Sequence, residues 1–376
     1  MTAPVRLGIS ADVENKPELR FGWTTGSCAT AAAKAAFVAL QTGSFPDPVE
    51  ITLPRGQRVG FALAETRLDV QRAMAGVVKD AGDDPDVTHG ALIRATVWRG
   101  EPGSGVVFRA GPGVGTVTRA GLPIPPGEPA INPVPRQMIR DALSEVAVTP
   151  DVVVEISIED GERIAEQTLN GRLGIVGGLS ILGTTGIVVP FSCSAWIHSI
   201  HRGIDVARAG GLEMVAGATG HSSELAVQRH HGLDDMALID MGDFVGGMLK
   251  YLRAHPVPRV VVAGGIGKIT KLAQGRIDLH SRRGSVDFAA LAALAVELGA
   301  TPAIRAGIEG ANTTLEAIDL AEGLDLGNAI AARAWHTAAG VLDTPETLLE
   351  VLVFDSTGAL LGQAGFAPAH VRNLRR

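Results

Sequence analysis

The sequence is short of cysteine, aromatic residues and long apolar runs, and each shortage disfavours a class of protein. Cys28 and Cys193 are too few for a disulfide framework, which favours a reducing compartment. Aromatic residues make up only 4% of the chain, which disfavours stacking on nucleic-acid bases. No apolar run approaches the about 20 residues that cross a bilayer, and the N-terminus lacks a signal-peptide layout. We therefore expect a cytoplasmic protein that binds neither nucleic acid nor membrane.

Length and pattern together predict two domains. A chain of 376 residues exceeds the roughly 250–300 residues at which one core stops growing. Short alternating strands, with helices at Ala29–Thr42 and Pro135–Ala147, favour an α+β domain over residues 1–190, with an antiparallel or mixed sheet and helices on one face. Later apolar runs end in glycine loops between helical periods, which favours an α/β domain over residues 191–376, with a largely parallel, helix-covered sheet.

The predicted elements follow from these periods. The strands of the first domain are Val49–Leu53, Val59–Ala64, Ala91–Trp98, Val106–Ala110, Val152–Ile158 and Arg163–Thr168. Those of the second are Glu213–Ala216, Ala237–Asp240, Arg259–Ala263 and Ala303–Ile308, with a last hairpin at Leu349–Phe354 and Ala359–Gln363. Its helices are Ile200–Ala209, Phe244–His255 and Phe288–Leu298. Ligands of such a parallel sheet sit beyond the carboxyl ends of the strands.

A polar loop from Arg20 to Cys28, which ends in Thr24-Thr-Gly-Ser-Cys28, runs into an alanine-rich helix. Small residues at a helix mouth leave backbone N–H groups free to bind an anion, although they also permit close packing. We expect anion binding here, with Cys28 as a small residue rather than a nucleophile.

Lys79–Gly90 contains four carboxylates, a lysine and an imidazole within twelve residues. Like-charged neighbours can hold one carboxylate at a raised pKa, which suits a general base. A hard-cation site and an ordinary acidic turn are the alternatives, and the glycine that an EF-hand loop requires is absent. We assign no metal ligand.

Gly111–Arg136 is a glycine- and proline-rich stretch that leads into a helix. Connections of this length are uncommon unless they are functional, although a plain surface connection is the alternative. Because Arg136 lies at the start of the helix, we expect it near a bound anion.

Val260–Gly275 has the form of a strand, a glycine loop and a helix. Val262 stands where a phosphate-binding P-loop needs glycine, and Ile269 stands where it needs a hydroxyl, so a magnesium-nucleotide site is excluded. The spacing also differs from that of a dinucleotide-binding loop. Backbone amides beside Lys268 and Lys271 remain, suited to carboxylates or to the polar tail of a cofactor, unless this is an ordinary turn.

Several motifs occur in order over about residues 18–365. The first two are Thr24-Thr-Gly-Ser-Cys-Ala and Lys79-Asp-Ala-Gly-Asp-Asp-Pro-Asp-Val-Thr. Two more lie in the long loop, Gly113-Val-Gly-Thr-Val-Thr and Pro129-Ala-Ile-Asn-Pro-Val-Pro-Arg136. The last are Leu173-Gly-Ile-Val-Gly-Gly-Leu-Ser-Ile-Leu-Gly-Thr-Thr-Gly-Ile187, and Gly267-Lys with Leu279-His-Ser281. Together they resemble the CbiD-type cobalt-precorrin-5B (C1)-methyltransferases of cobalamin biosynthesis. The resemblance implies methyl transfer from S-adenosylmethionine to ring carbon C1 of a corrinoid tetrapyrrole.

Methyl transfer from a sulfonium requires alignment rather than a covalent nucleophile, and a polycarboxylate substrate requires fixed donors. We expect substrate contacts at Arg20, Thr24, Thr25, Gly26, Ser27, Lys79, Arg119 and Arg136. Candidate proton acceptors are Asp80, Asp83, Asp84 and His89. We expect S-adenosylmethionine at Gly217, Thr219, Gly220, Glu224, Asp240, Asp243, Gly264, Gly265, Gly267 and Lys268.

Two other classes of function stay open at this point. The Thr24–Thr30 loop loosely resembles that of small-molecule kinases of the galactokinase–mevalonate kinase type, and a non-catalytic tetrapyrrole carrier would share the binding residues. The sequence is also compatible with a homo-oligomer and with either a cobalt-bearing or a metal-free substrate.

Overall fold

Two five-stranded sheets organise the computed structural model, which describes residues 19–370. Each sheet has its own apolar core. The predicted fold class, α+β followed by α/β, is confirmed, while the division at residue 190 stays a prediction. Within the described range, no helix combines the length and the apolar character needed to cross a membrane.

Residues 19–190 hold thirteen short strands and three helices. The strands are β1 Gly22–Trp23, β2 Val49–Thr52, β3 Arg58–Phe61, β4 Glu65–Leu68, β5 Arg72–Val78, β6 Leu92–Arg99, β7 Val106–Ala110, β8 Gly113–Val114, β9 Thr116–Val117, β10 Val152–Ile158, β11 Ile175–Val176, β12 Gly178–Leu179 and β13 Ile187–Val188. The helices are α1 Thr25–Thr42, α2 Pro133–Ser144 and α3 Gly161–Ala165.

The first sheet has the order β4-β5-β6-β10-β7, and all its pairs are antiparallel except β10 with β7. Helix α1 lies across β5 and β6 and packs against α2. Seven alanines of α1 are buried between Ala29 and Ala39, so the helix carries little side-chain bulk toward the sheet. The alanine-rich sequence is therefore a close-packing surface.

Residues 191–370 hold five strands and eight α-helices. The strands are β14 Met214–Ala218, β15 Leu238–Asp240, β16 Arg259–Gly265, β17 Thr344–Phe354 and β18 Leu360–Ala369. The helices are α4 Cys193–Ala209, α5 His221–His231, α6 Val245–Ala254, α7 Ile266–Ala273, α8 Phe288–Glu297, α9 Pro302–Glu309, α10 Thr314–Leu320 and α11 Leu326–Leu342, with 3₁₀ turns at Asp235–Ala237 and Ser281–Arg283.

The second sheet has the order β15-β14-β16-β17-β18, parallel except for β18. From β14 the chain crosses by α5 to β15 on one side, and it returns by α6 past β14 to β16 on the other. The carboxyl ends of β14 and β16 thus flank a topological switch point, which is where open α/β sheets bind ligands.

Two predicted strands are helices in the structure. Arg163–Thr168 is largely replaced by α3, because Asp160 adopts a left-handed conformation that starts a helical turn instead of a hairpin. Ala303–Ile308 lies inside α9, which begins with Pro302 after Thr301, whose side chain accepts a hydrogen bond from Ile304 N–H. Val106–Ala110 and Val152–Ile158 have the predicted bounds, and the other predicted strands are present with shifted ends. The last hairpin joins the second sheet as β17 and β18.

Gly327→Ala in α11 should destabilise the protein, because a Cβ there would lie 1.8 Å from the Leu361 carbonyl oxygen of β18. Overpacking of this kind costs about 1–3 kcal/mol. Gly340→Ala is a control in the same helix, where a Cβ meets no atom within 4 Å, and alanine should raise stability there by about 0.5–1 kcal/mol. Urea unfolding measures both variants. A Gly327→Ala protein as stable as wild type would contradict the close contact.

Candidate functional site

The first turn of α1 is closed by a distant part of the chain. Thr24 caps the helix through its hydroxyl, which accepts the Ser27 N–H at 3.2 Å. The Gly26 N–H donates to the Leu182 carbonyl at 2.8 Å, and the Ser27 hydroxyl donates to the Gly186 carbonyl at 2.7 Å. The structure therefore corrects the prediction of an open anion site: Thr25, Gly26 and Ser27 are buried and bonded within the protein.

Cys28 is buried beneath this turn. Burial raises the pKa of its thiol to about 12, which keeps the sulfur protonated and unreactive at neutral pH. The expectation of a small packing residue agrees with this position.

Lys79 is not available to a ligand, because its side chain is only 1% exposed and its Nζ donates to Asp86 Oδ2 at 2.6 Å. The other Asp86 oxygen accepts the N–H and hydroxyl of Thr88. Burial alone would raise the pKa of Asp86, but Lys79 and Thr88 bind the carboxylate and lower the pKa overall. The Lys79–Asp86 ion pair stabilises the acidic segment, residues 79–90, from within. The structure thus corrects the prediction that Lys79 contacts the substrate.

Asp80 is a carboxylate paired with Arg20 at the surface. Arg20 Nη1 bonds Asp80 Oδ2, and Nη2 donates to Oδ1 at 2.9 Å. These bonds and the Gly82 N–H lower the pKa of Asp80 to about 2. The prediction of a general base held at a raised pKa is wrong for Asp80, because the nearest charge is a guanidinium rather than another carboxylate.

The remaining candidate bases also bond the backbone. Asp83 Oδ2 accepts the Arg20 N–H at 2.7 Å, and Asp84 Oδ1 accepts the Phe191 N–H at 2.8 Å. The latter bond holds Phe191 in a left-handed conformation, with φ 56°, while its ring stays exposed. His89 Nδ1 accepts the Ala81 N–H at 3.1 Å, so the neutral ring carries its proton on Nε2. In the described part of the chain, no three His, Cys, Asp or Glu side chains are grouped to hold a metal ion.

Arg136 stabilises its own loop. Its guanidinium donates to the Ile131 and Pro129 carbonyls and to Glu128, and it lies over the Phe108 ring. This network corrects the prediction that Arg136 meets a bound anion. Arg119 is exposed and reaches Met236 in the 3₁₀ turn before β15.

A cleft of about 800 Å³ lies at the carboxyl edge of the second sheet, over the ends of β14, β16 and β17. Helices α5 and α7 begin at this cleft, so backbone N–H groups of their first turns face it. Its size falls within the range of small-molecule sites.

The predicted cofactor residues divide into two groups. Thr219, Gly220, Gly265, Gly267 and Lys268 line the cleft.

The other five do not line it. Gly217 and Gly264 lie in strands, where an added Cβ would meet packed side chains. Glu224 is buried and binds both Nη atoms of Arg172 at 2.7 Å. Asp243 is paired with Lys268. Asp240 lies at the end of β15.

The Asp240 carboxylate has no side-chain donor among residues 19–370. Burial, and then the nearby Glu224 carboxylate, raise its pKa. The exposed indole of Trp196 lies beside it, with Nε1 donating to the Asp240 carbonyl at 3.0 Å and the ring close to Gly242. A half-buried acceptor next to an exposed aromatic ring therefore ends β15.

Sequence reasoning missed several residues of this edge. Ser281, Ser285, Thr314 and Asp355 line the cleft, and Trp196 lies beside Asp240. Asp355 follows β17 directly, so the strand-end rule could have found it. Ser281 lies in the quoted Leu279-His-Ser281 motif, which carried no assigned role. Ser285, Thr314 and Trp196 lie on turns and helices that the fold brings together, and no local pattern marks them.

The fold defines an α+β and α/β protein with a cleft at a topological switch point. The family model described as CbiD matches residues 12–190, and the model described as CbiD, C-terminal domain matches residues 278–365. The chain belongs to the CbiD family.

Relatives named cobalt-precorrin-5B C(1)-methyltransferase occur in Agrobacterium fabrum, with 62% identity over 94% of both chains, and in Bradyrhizobium, with 61% identity over 94% of this chain and 96% of the relative. A relative of the same name in Halorhodospira halophila is 61% identical over 93% of this chain and 95% of its own length. A crystal structure of the cobalamin biosynthesis protein cbiD from Archaeoglobus fulgidus is 29% identical over 70% of this chain and 83% of that chain, with a TM-score of 0.39.

Asp86→Ala should lower the free energy of unfolding by about 3 kcal/mol, because it leaves the buried Lys79 ammonium without a partner. Lys79→Met should lose less, since the apolar stem stays and Asp86 can be hydrated. Urea unfolding at neutral pH gives the comparison.

The same pair predicts a pH dependence. The pKa of Asp86 is lowered on folding, so its contribution is present above the unfolded value of about 3.9 and is lost as pH falls through the folded value. The gap between wild type and Asp86→Ala should therefore shrink in acid. Equal losses for both variants at neutral pH would argue against the buried pair.

Proposed function

We propose that this chain is a cobalt-precorrin-5B C(1)-methyltransferase that transfers a methyl group from S-adenosylmethionine to C1 of the corrinoid, giving cobalt-precorrin-6A. The observation that carries this proposal is identity near 60% over more than nine-tenths of relatives bearing that name. We expect the reaction to take place in the cytoplasm.

The end of β15 and the loop after β14 suit an adenosyl group. In switch-point folds, a glycine loop after the first strand and a carboxylate after the second hold a nucleoside and its ribose diol. Here Thr219 and Gly220 follow β14, and Asp240 ends β15 without a side-chain donor of its own. Asp240 would accept the ribose hydroxyls, and the Trp196 indole offers an apolar face beside it. When bound, S-adenosylmethionine supplies an activated methyl group on a sulfonium.

If the corrinoid ring loses a proton on methylation, one of four candidate residues would accept it. Asp80 is a weak base because its pKa is about 2, and neutral His89 uses Nδ1 as an acceptor. Asp83 and Asp84 each keep one carboxylate oxygen that the Arg20 and Phe191 amides do not use. A role for any of these four as general base stays a prediction, and unchanged turnover in its alanine variant would remove it.

The kinase alternative loses its main support in this geometry. Its loop would have to offer open amides at the start of α1, whereas Leu182 and Gly186 occupy that turn. The carrier alternative predicts corrinoid binding with no response to S-adenosylmethionine.

Incubation of the purified protein with S-adenosylmethionine and cobalt-precorrin-5B should add one methyl group to the corrinoid and yield S-adenosylhomocysteine. Mass spectrometry of both products measures the transfer, and methyl-deuterated donor should shift the corrinoid mass by three further units. Binding of authentic substrate without any mass gain would favour the carrier and reject the transferase.

Asp240→Asn should raise KM for S-adenosylmethionine at least about tenfold while leaving KM for the corrinoid near wild type, because a hydrogen bond to a charged acceptor contributes about 1.5–3 kcal/mol. The raised pKa of Asp240 adds a pH signature. As the pH falls, protonation of Asp240 should weaken donor binding to wild type, and this should begin at a higher pH than for a carboxylate of ordinary pKa. The asparagine variant should not show this loss. Initial rates across pH test both expectations, and an unaltered KM for the donor would place the ribose elsewhere.

A further inference from the structure

The cleft offers anion donors that an adenosyl group at β15 leaves unused. Helix α7 begins directly after β16, and an added Cβ at its capping residue, Gly265, would meet no atom within 4 Å. The first-turn N–H groups of a helix carry partial positive charge and bind carboxylates. The bare glycine backbone lets a ligand approach this turn closely.

Thr314 supplies an independent sign of a ligand. Its side chain is 6% exposed, lines the cleft, and has no hydrogen-bond partner among the residues the structure describes. No fully buried side-chain polar atom in that range lacks a partner, so the Thr314 hydroxyl must reach the open space of the cleft. Its Oγ1 lies 3.8 Å from the place that a Cβ on Gly267 would take, which sets the hydroxyl over the first turn of α7. The hydroxyl is therefore free to donate a hydrogen bond to a ligand oxygen in the cleft.

The charges around the cleft favour an anion. Lys271 donates to the Leu279 carbonyl at 3.1 Å and pairs with no carboxylate among residues 19–370. Lys268 is balanced by Asp243. The carboxylate of Asp355 also faces the cleft, but its Oδ1 already accepts the Thr357 and Ala359 N–H groups. Those hydrogen bonds leave Asp355 charged, so it offsets Lys271, and the positive potential at this edge comes from the helix termini.

We propose that this cleft binds peripheral carboxylates of the tetrapyrrole substrate, with the Thr314 hydroxyl, the first-turn amides of α7 and Lys271 as donors. The proposal rests on the proposed function and moves the substrate's anion site from α1, whose first turn is closed, to the second sheet. A cleft of about 800 Å³ exceeds what one amino-acid carboxylate needs. The donor at Asp240 and the substrate at α7 then lie along one carboxyl edge, on opposite sides of β14.

Separate equilibrium titrations of cobalt-precorrin-5B and of S-adenosylmethionine test this division, the first by absorbance and the second by calorimetry. Thr314→Val and Lys271→Met should each raise the corrinoid Kd about tenfold and leave the donor Kd unchanged. Thr314→Ser keeps the hydroxyl and should recover most of the affinity. Thr337→Val, at a half-buried position of α11 that does not line the cleft, is the matched control. Thermal unfolding of each variant checks that the fold is intact.

Two results would overturn the proposal: corrinoid affinity near wild type in both Thr314→Val and Lys271→Met, or a weakened donor affinity in place of the corrinoid effect. If the variants show the expected Kd changes but the wild-type protein transfers no methyl group, the cleft assignment stands and the transferase function is rejected. The two claims therefore fail separately.

Discussion

The backbone bonds between the start of α1 and the segment Leu182–Gly186 tie the two ends of the first half of the molecule to each other. They join residues about 160 positions apart and extend directly into the β1–β13 pair, in which Gly22 faces Val188. An added Cβ on Gly22 would lie 2.0 Å from the Ala81 backbone, so the acidic segment is pressed against the same strand. One closed turn thereby fixes Asp80, Asp84 and the chain that enters α4.

Elements with a clear local period were predictable. β10 and β7 have the predicted bounds, and the parallel order of the second sheet follows from apolar runs that end in glycine loops. Predictions failed where two local signals competed. Residues 303–308 have strand-like composition, but a threonine cap and a proline before them start a helix, and the cap decides the outcome.

Whether the position of a candidate site residue could be read from the sequence depends on how far away its partners lie. Thr219, Gly265 and Lys268 lie at the end of a strand or within three residues of it, so their place at the sheet edge was readable from the sequence. The fate of the α1 amides, of Lys79 and of Arg20 depends on partners, some of them more than 60 residues away, whose contact the sequence does not reveal. Thr314 had no local signal at all, because its environment exists only once α7 and α10 meet.

The distribution of charge gives a reason for using backbone amides at the cleft. The chain carries a net charge of −7, and its arginines are heavily engaged: Arg20, Arg136 and Arg172 all bind carboxylates of the protein itself. A polycarboxylate ligand gains little from cations that are already neutralised. Helix-terminal N–H groups carry partial charge that no side chain cancels, and their positions are fixed by the sheet before the ligand arrives. An acidic protein can therefore bind an acidic substrate at α7 without an arginine cluster, and its surface carboxylates can still repel that substrate from the rest of the molecule.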